Sequence, residues 1–363
     1  MEPILLDDLF DIPETPEGPG DDGNGVFTFI YRGKKLQDIA RSYGREHCCL
    51  KIFKNKEAFQ EDYHKQWWGH SQKAKGTLMA EAIFIQNIYA LEGLAPRIYA
   101  ILPVIINGEK HWAHLTDDLG HWETCEQLQH ELITGPIQEI ADIYGFEVYN
   151  DGREYNVVGE KYVDFQAFHL KPDYAERMKK RLIGVANVGK WGPWMNYHDI
   201  PEFGITGGRK NEQRIEQMKL NELDFRGCTV LDVGCSEGFF CRYAMNRGAS
   251  RVVGIDLPGV IKPAAELAYW LEYNNIDFYG YDLLHENPKN LGKFNIMFYF
   301  SMCQHIGMPE WVNEMTKDIL VFEGNGKGED APAMHKINDW FDVVVDKGKT
   351  NDLMERPILW CIR

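Results

Sequence analysis

The chain lacks any C-x-x-C pair, although it contains eight cysteines among 363 residues. The spacing of these cysteines is not that of a zinc site, and we interpret them as small apolar side chains in a reducing compartment. No apolar run reaches the length of a membrane span, since residues 101–106 are interrupted by Pro103. The acidic first residues lack the basic start and apolar core of a secretory signal. We therefore expect a cytoplasmic protein with no membrane partner.

Basic residues are also scarce. The chain has 39 lysines and arginines against 55 acids, and its formal net charge is −16. An acidic surface repels phosphate backbones, so extended nucleic-acid binding is disfavoured, although a local basic patch remains open. Apolar residues make up 44% of the chain, which is typical of a globular protein long enough for two domains. We expect a small-molecule or glycan partner rather than a long nucleic acid.

One segment in the second half has the strongest local pattern. Residues 230–233 form a predicted buried strand, followed by a turn with Gly234 and Gly238 and then by a predicted helix. The next apolar stretch, 251–255, ends on Asp256. Glycines in such a turn let the backbone approach a ligand, and an acid at the next strand end accepts hydrogen bonds from ribose hydroxyls. The pattern predicts a nucleoside site at the edge of a parallel sheet.

The spacing of the glycines argues against a dinucleotide. A dinucleotide fingerprint is G-x-G-x-x-G, in which the second glycine makes room for a pyrophosphate. Here Cys235 and Ser236 stand between Gly234 and Gly238, so the phosphate-specific glycine is missing. Asp232 would repel a pyrophosphate but suits an ammonium group. At these residues the chain resembles the class I S-adenosylmethionine-dependent methyltransferases.

This resemblance implies which residues hold S-adenosylmethionine. Asp232 and the glycine turn would hold the methionine part, and Asp256, followed by Leu257, would hold the ribose. Asp282 and Leu283, which follow a third predicted strand, would hold the adenine. The three acids stand at three successive strand ends, which is a far more specific pattern than a lone glycine turn.

The remainder of the C-terminal third alternates strands with helices, which predicts a parallel α/β sheet with ligands at the carboxyl ends of its strands. A helix is predicted at 262–273, with Pro263 in its first turn. The further predicted strands are 276–281, 295–300, 319–323, 343–345 and 357–362. The resemblance implies a Rossmann-like, seven-stranded methyltransferase sheet whose last two strands form an antiparallel edge.

Composition divides the chain into four predicted parts. Residues 1–25 are rich in acids, proline and glycine and are interpreted as a flexible arm. Residues 26–170 form an α+β domain, residues 171–222 a helical linker or cap, and residues 223–363 the methyltransferase domain.

The predicted linker of residues 171–222 contains an aromatic segment with Trp194, Tyr197 and His198. It resembles the lead-in of methyltransferases related to wobble-uridine tRNA modifiers, which implies that these three residues lie near the cofactor. The alternative is that they only pack a helical cap onto the sheet.

The N-terminal half contains a second constellation. Lys51 lies inside an apolar predicted strand, where an ammonium group is costly without an anionic partner, and Glu81 lies on the following predicted helix. Further on, Asp151 and Asn156 form a D-x-x-x-x-N element, and Asp164 follows another short strand. This order resembles the protein-kinase-like fold. The resemblance implies ATP contacts from Lys51 and Glu81, a catalytic Asp151, and Mg²⁺ ligands at Asn156 and Asp164.

The N-terminal pattern also departs from the kinase family. Tyr149 and Asn150 replace the histidine and arginine of the catalytic loop, and Gln166 replaces a glycine. A glycine-rich loop is missing, and no full helical lobe follows Asp164. A chance recurrence of the motif, with Lys51 in a purely structural ion pair, stays open.

Three functions remain open at this point. The first is a methyltransferase whose kinase-like domain binds or uses ATP, as in chain-terminating enzymes of bacterial polysaccharides, where the order is reversed. The second is a methyltransferase with a degenerate, kinase-like substrate clamp, including one for RNA. The third is a non-catalytic scaffold that senses the cofactor. His305, after the fourth strand of the methyltransferase sheet, is the candidate base, with a packing or surface histidine as the alternative. The sequence leaves the acceptor atom and the oligomeric state open.

Overall fold

The computed structural model describes residues 4–5, 27–31, 36, 40–41, 45, 48–53, 78–106, 109–117, 127–148, 157–158, 161–162, 168–185, 196–326, 330–351 and 353–363. The chain divides into two compact units, Met1–Met178 and Lys179–Arg363, which we call unit 1 and unit 2. Within the described ranges, no helix combines the length and the apolar character needed to cross a membrane.

Unit 1 contains a five-stranded sheet in the order β1-β4-β5-β3-β2. Its strands are β1 (Ile4–Leu5), β2 (Phe27–Tyr31), β3 (Cys48–Phe53), β4 (Ile98–Ile106) and β5 (Glu109–Asp117). Strand β1 pairs with β4 in parallel, and the other neighbours are antiparallel. Buried apolar side chains, among them Leu50, Leu102 and Leu115, form a core cluster from these strands.

Helix α1 (Leu78–Leu91) lies between β3 and β4 along the chain and is buried from residue 81 to residue 89. It is apolar except at Glu81, Gln86 and Asn87 and has no continuous polar face, which is the pattern of an internal helix. Its polar side chains bond to backbone groups: Asn87 exchanges two hydrogen bonds with Ile98, at 2.8 and 3.0 Å. The other elements that begin in unit 1 are α2 (Gln127–Tyr144), β6 (Phe146–Val148), β7 (Val157–Val158), β8 (Lys161–Tyr162), β9 (Phe168–Leu170) and α3 (Tyr174–Val185).

Unit 2 contains a seven-stranded sheet in the order β14-β13-β12-β15-β16-β18-β17. Its strands are β12 (Thr229–Val233), β13 (Arg251–Asp256), β14 (Ile276–Gly280), β15 (Phe294–Phe300), β16 (Thr316–Glu323), β17 (Val343–Lys349) and β18 (Pro357–Ile362). Strands β12 to β16 are parallel, and β18 is antiparallel to both β16 and β17. The predicted seven-stranded sheet with an antiparallel edge is confirmed.

Helices connect the strands of unit 2. They are α5 (Phe239–Asn246), α6 (Pro258–Trp270), α7 (Cys303–Ile306), α8 (Glu310–Met315) and α9 (Ala331–Trp340). Strands β12 and β15 are buried along most of their length, as expected where helices cover both faces of a sheet. The predicted start of α6 at Lys262 is wrong, because the helix begins at Pro258 and Pro263 lies inside it. A proline has no N–H to leave unsatisfied, so Pro258 is well suited to the first turn.

A short segment precedes this sheet in unit 2. It consists of β10 (Asn196–His198), the 3₁₀ helix Pro201–Phe203, β11 (Gly207–Arg209), helix α4 (Asn211–Gln217) and the 3₁₀ helix Leu220–Glu222. Strands β10 and β11 pair in parallel and form a small separate ladder. We call residues 196–222 the cap.

Candidate functional site

Strand β12 ends in a tight turn with left-handed backbone. Gly234, Ser236 and Gly238 have φ values of 75°, 49° and 69°, and Gly238 directly precedes helix α5. The N–H groups of Gly234 and Cys235 both donate to the carbonyl of Ile255, at 2.8 and 3.1 Å. These bonds hold the turn against the end of β13. The carboxyl ends of β12 and β13 therefore form one continuous edge, which we call the cofactor edge.

Asp256 completes the cofactor edge. Its Oδ2 accepts a hydrogen bond from the Ser236 N–H at 2.9 Å, and its Oδ1 accepts one from the Leu257 N–H at 2.7 Å. Burial raises the pKa of Asp256, and the two backbone donors oppose that rise. A carboxylate has about four acceptor positions, so two bonds leave capacity for hydroxyl donors of a ligand.

Asp232 lies deeper than Asp256, and only 2% of its surface is exposed. Its Oδ2 accepts a hydrogen bond from the Cys241 thiol at 3.4 Å. Burial raises the pKa of Asp232 to about 7, and the neighbouring charge of Asp256 adds to the rise. A nearby cation would stabilise the ionised form of Asp232. The two carboxyls thus fit a positively charged ligand at the cofactor edge.

A neighbouring residue occupies the space that a side chain at position 234 would need. A Cβ atom on Gly234 would lie 2.3 Å from Sδ of Met302, which follows β15. The sequence predicts that this glycine admits a ligand, and the structure adds that it admits the Met302 thioether. Met302 therefore packs directly against the glycine turn.

Cys235 packs beneath the turn. A Cβ atom on Gly254 of β13 would lie 2.9 Å from Sγ of both Cys235 and Cys241, so the two thiols share the space over bare backbone. Both side chains are buried, and burial raises their pKa values, that of Cys241 to about 11. A ligand at the cofactor edge would meet the backbone of Cys235 rather than its thiol.

Glu237 connects the turn to strand β10 of the cap. Its Oε1 accepts a hydrogen bond from the Tyr197 N–H at 2.8 Å, and its Oε2 accepts one from the Ser236 hydroxyl at 2.6 Å. Nδ1 of His198 lies 3.6 Å from Oε2, and its ring packs edge-on against Phe240. Burial disfavours the charge of Glu237, but contacts with His198 and Ser236 hold its pKa at about 2. Tyr197 and His198 therefore lie beside the turn and also pack the cap.

A buried ion pair connects the cap to the other side of the sheet. Arg214 of α4 donates to both carboxylate oxygens of Glu323, at 2.7 and 2.8 Å, and the two residues are 2% and 0% exposed. Glu323 is the last residue of β16. Its Oε2 also accepts a hydrogen bond from the Ser301 hydroxyl at 2.6 Å, and Ser301 follows β15. The pair lies at the carboxyl ends of β15 and β16, which we call the acceptor edge.

The remaining predicted residues of unit 2 lie at these edges. Asp282 follows β14, and its Oδ1 accepts a hydrogen bond from the Leu284 N–H at 3.2 Å. Leu283 packs against the core of unit 2. His305 lies in α7 and is exposed; burial of part of its ring lowers its pKa, and the charge of Asp256 opposes this. His305 thus follows β15 along the chain and interacts electrostatically with Asp256, and its role as a base remains a prediction.

The predicted residues of unit 1 are only partly described. The backbone of Lys51 lies in β3 opposite His114 of β5, and its side chain is outside the description. Glu81 of α1 accepts a hydrogen bond from the Leu170 N–H at 2.5 Å and is 1% exposed. Four predicted residues lie outside the described part of the chain: Asp151, Asn156, Asp164 and Trp194. Among described residues, no cluster of three or more His, Cys, Asp or Glu could hold a metal ion.

Several residues of the two edges escape sequence reasoning. Glu237 and Met302 carry no motif, and their roles arise from contacts with the cap and with Gly234. Glu323 does carry a signal, because it is another acid at a strand end. Its partner Arg214 is 109 positions away, and no pattern in the sequence pairs the two residues.

The comparison with known families identifies the C-terminal domain. Residues 224–325 match the family model described as a methyltransferase domain. No curated protein matches the sequence. The matched segment runs from just before β12 to just after β16 and therefore includes the glycine turn and the carboxyl ends of all five parallel strands.

Several solved structures have a similar fold. Magnesium protoporphyrin IX methyltransferase from Synechocystis PCC 6803, with bound S-adenosylmethionine, is 19% identical, covers 42% of this chain and 77% of its own, and has a TM-score of 0.35. The N-terminal domain of EvdMO1, in the presence of S-adenosylhomocysteine and D-fucose, is 11% identical. The match covers 52% of this chain and 96% of that domain, with a TM-score of 0.39. The bifunctional kinase-methyltransferase WbdD is 19% identical. The match covers 50% of this chain and 46% of WbdD, with a TM-score of 0.38, and it lies in the methyltransferase region. The chain thus matches about half the length of WbdD.

The sheet order, the glycine turn and the family match define the class of protein. The chain contains an S-adenosylmethionine-dependent methyltransferase domain, and the prediction that it is an enzyme of this class is confirmed.

The raised pKa of Asp232 predicts a particular dependence of stability on pH. Its pKa is about 7 in the folded chain against a usual 3.8, so the folded state binds this proton more tightly. The stabilisation from Asp232 is full below about pH 4 and is lost as the pH rises to about 7, at up to about 1.4 kcal/mol per pH unit. Asp232→Asn removes this effect. Urea unfolding of both proteins between pH 4.5 and 7.5 measures the difference, and two parallel curves would contradict the placement of Asp232.

Loss of the buried arginine predicts a large loss of stability. Arg214→Met leaves the Glu323 carboxylate buried without its bidentate partner, which we expect to cost about 3–5 kcal/mol of unfolding free energy. Arg226→Met is the matched control, because Arg226 pairs with Asp224 on the exposed surface. The control is expected to change stability by less than about 1 kcal/mol. Equal urea midpoints for both variants would show that the buried pair has no such role.

Proposed function

We propose that unit 2 binds S-adenosylmethionine along the carboxyl ends of β12, β13 and β14 and transfers its methyl group to an acceptor at the neighbouring acceptor edge. The observation that carries the proposal is the pair of carboxyls, Asp232 and Asp256, that share one edge with a glycine turn. Burial raises the pKa of each, and Asp256 further raises that of Asp232, so a cationic ligand relieves their mutual repulsion. A phosphate group would increase it.

Each predicted cofactor residue has a role in this proposal. The turn from Gly234 to Gly238 receives the methionine part, with Asp232 beneath its ammonium group. Asp256 accepts hydrogen bonds from the ribose hydroxyls, next to Leu257, whose side chain is 43% exposed. Asp282 and Leu283, at the end of β14, receive the adenine.

The methyl transfer requires a positioned acceptor atom and, for some acceptors, a base. S-adenosylmethionine supplies a methyl group on a positively charged sulfur, and the acceptor atom attacks that carbon in line with the bond that breaks. An acceptor that carries a proton must lose it to a base. His305 is our candidate for that base, because its lowered pKa leaves it neutral near pH 7 and it interacts with the cofactor edge. We propose a small-molecule or glycan acceptor, since a net charge of −16 disfavours long nucleic acids.

For unit 1 we propose binding of ATP with Mg²⁺ by Lys51, Glu81, Asp151, Asn156 and Asp164. Two observations support this proposal. The lysine strand β3, the glutamate helix α1 and the antiparallel strands β4 and β5 follow one another in the chain, and β5 pairs with β3. This order of lysine strand and glutamate helix is the one that protein kinases use to hold nucleotide phosphates.

Removal of Asp256 tests the cofactor site. Asp256→Ala loses a charged hydrogen-bond acceptor, and we expect S-adenosylhomocysteine and S-adenosylmethionine to bind more weakly by about 1.5–3 kcal/mol. Isothermal titration calorimetry on the full chain measures this change. Asp342→Ala is the matched control, because Asp342 is exposed and precedes β17. It therefore lies near the amino ends of the parallel strands, away from the cofactor edge. Equal affinities for the two variants would refute the proposed ribose position.

Removal of Lys51 and Asp164 tests unit 1. If unit 1 holds magnesium and ATP, calorimetry detects Mg²⁺-dependent ATP binding, and both Lys51→Ala and Asp164→Ala abolish it. Absence of ATP binding in the unmodified chain would favour a substrate clamp instead. A chain that binds S-adenosylmethionine but never consumes it with any cell extract would point to a scaffold.

A further inference from the structure

Tyr197 stands between the two edges of unit 2. Its N–H is held by Glu237 of the glycine turn, at 2.8 Å. The residue is 36% exposed and is thus one of the exposed large apolar residues among those described. The guanidinium of Arg209 lies over the ring, 5.3 Å from its centroid. The ring of Tyr197 is therefore accessible to a ligand and is flanked by a cation.

Three arginines converge near this tyrosine. Arg214 forms its bidentate pair with Glu323, and Nη1 of Arg209 lies 3.9 Å from Oε1 of the same carboxylate. Burial raises the pKa of the Tyr197 hydroxyl; the charges of Arg214, Arg209 and Arg356 oppose the rise, and that of Glu323 adds to it. Among the described residues, three arginines thus act on Tyr197 together with Glu323, in a chain whose net charge is −16. We call these arginines the arginine cluster.

The arginine cluster belongs to the acceptor edge of the sheet. Glu323 ends β16, and its hydrogen-bond partner Ser301 follows β15. Arg356 immediately precedes β18, whose Ile358 pairs with Glu323. The cluster is therefore assembled from β11, α4 and the start of β18 around the end of β16. The cofactor residues Asp232, Asp256 and Asp282 belong to other strands, β12 to β14 and their ends.

We propose that the methyl acceptor carries an oxyanion, either a carboxylate or a phosphate, which Arg209 receives beside the ring of Tyr197. This inference rests on the proposed function of unit 2 and adds the chemical class of the acceptor. A guanidinium presents its N–H donors in a planar fork that matches two oxygens of a carboxylate or phosphate. The side chain of Arg209 is 21% exposed, so a ligand can reach it while much of the solvent that would weaken the contact is excluded.

The charge arrangement of the two edges also favours this division of ligands. The cofactor edge presents carboxyls to a cation, and the acceptor edge presents arginines to an anion. An anionic acceptor and a cationic sulfonium attract each other, which favours their approach for methyl transfer. The acceptor class thus complements the cofactor proposed above.

Binding of small oxyanions to the full chain tests the inference. The protein is saturated with S-adenosylhomocysteine and titrated with methyl phosphate, and separately with acetate, at an ionic strength held constant with chloride. We expect at least one of the two to bind at millimolar concentration. Arg209→Met is expected to weaken that binding about tenfold or more, the loss of a charge-assisted hydrogen bond. The probe that binds identifies the acceptor as a phosphate or a carboxylate.

Arg226→Met is the matched control, because Arg226 precedes β12, at the amino ends of the parallel strands, and is paired with Asp224. It should leave oxyanion binding unchanged, and Arg209→Lys should retain a part of it. The urea unfolding midpoint of each variant verifies that it is folded. The inference is wrong if neither probe binds, or if Arg209→Met and Arg226→Met behave alike.

Two outcomes separate this inference from the proposed function. If Arg209→Met weakens S-adenosylhomocysteine itself about tenfold and neither oxyanion binds, the arginine cluster holds the carboxylate of the cofactor, and only the acceptor class is overturned. If the unmodified chain does not bind S-adenosylhomocysteine, the proposed function fails and this inference fails with it.

Discussion

The ion pair between Arg214 and Glu323 is the contact on which the geometry of the site depends. Two charges removed from water are costly, and they are tolerated here because two short hydrogen bonds join them and the Ser301 hydroxyl adds a third. The geometric demands of these bonds determine the position of α4 at the end of β16. Strands β10 and β11 precede α4 closely in the chain, so the pair also determines where Tyr197 and Arg209 lie.

A second carboxylate, that of Glu237, anchors the cap at the cofactor edge. It takes hydrogen bonds from the Tyr197 N–H and from the Ser236 hydroxyl within the glycine turn. The cap is thus attached to β16 through one acid and to the β12 turn through another. This double attachment explains how residues from a short segment before the sheet come to lie over both the cofactor edge and the acceptor edge.

Much of unit 2 was predictable because its pattern is local. The acids Asp232, Asp256 and Asp282 each lie at or near the carboxyl end of an apolar strand, and parallel strands bring these ends to one edge. The helix start at Pro258 was missed because Pro263 offered a competing signal with the same physical basis. Contacts between distant segments were beyond prediction, and the approach of Met302 to Gly234 is an example. In unit 1, helix α1 follows strand β3 in the predicted order, while the kinase-like fold and its catalytic and metal-binding assignments remain predictions.

The sequence by itself determined the class of enzyme, since hydrophobic periodicity specifies the alternating strands and the residue types at the strand ends specify the kind of ligand. Those signals are local, and a single stretch of chain is enough to express them. Only the tertiary structure decided which charges face each other: it buried Asp232 beneath the turn, paired Arg214 with Glu323, and brought Arg209 over the ring of Tyr197. The strength and the sign of an electrostatic interaction depend on distance and burial, and both arise only when remote segments pack together.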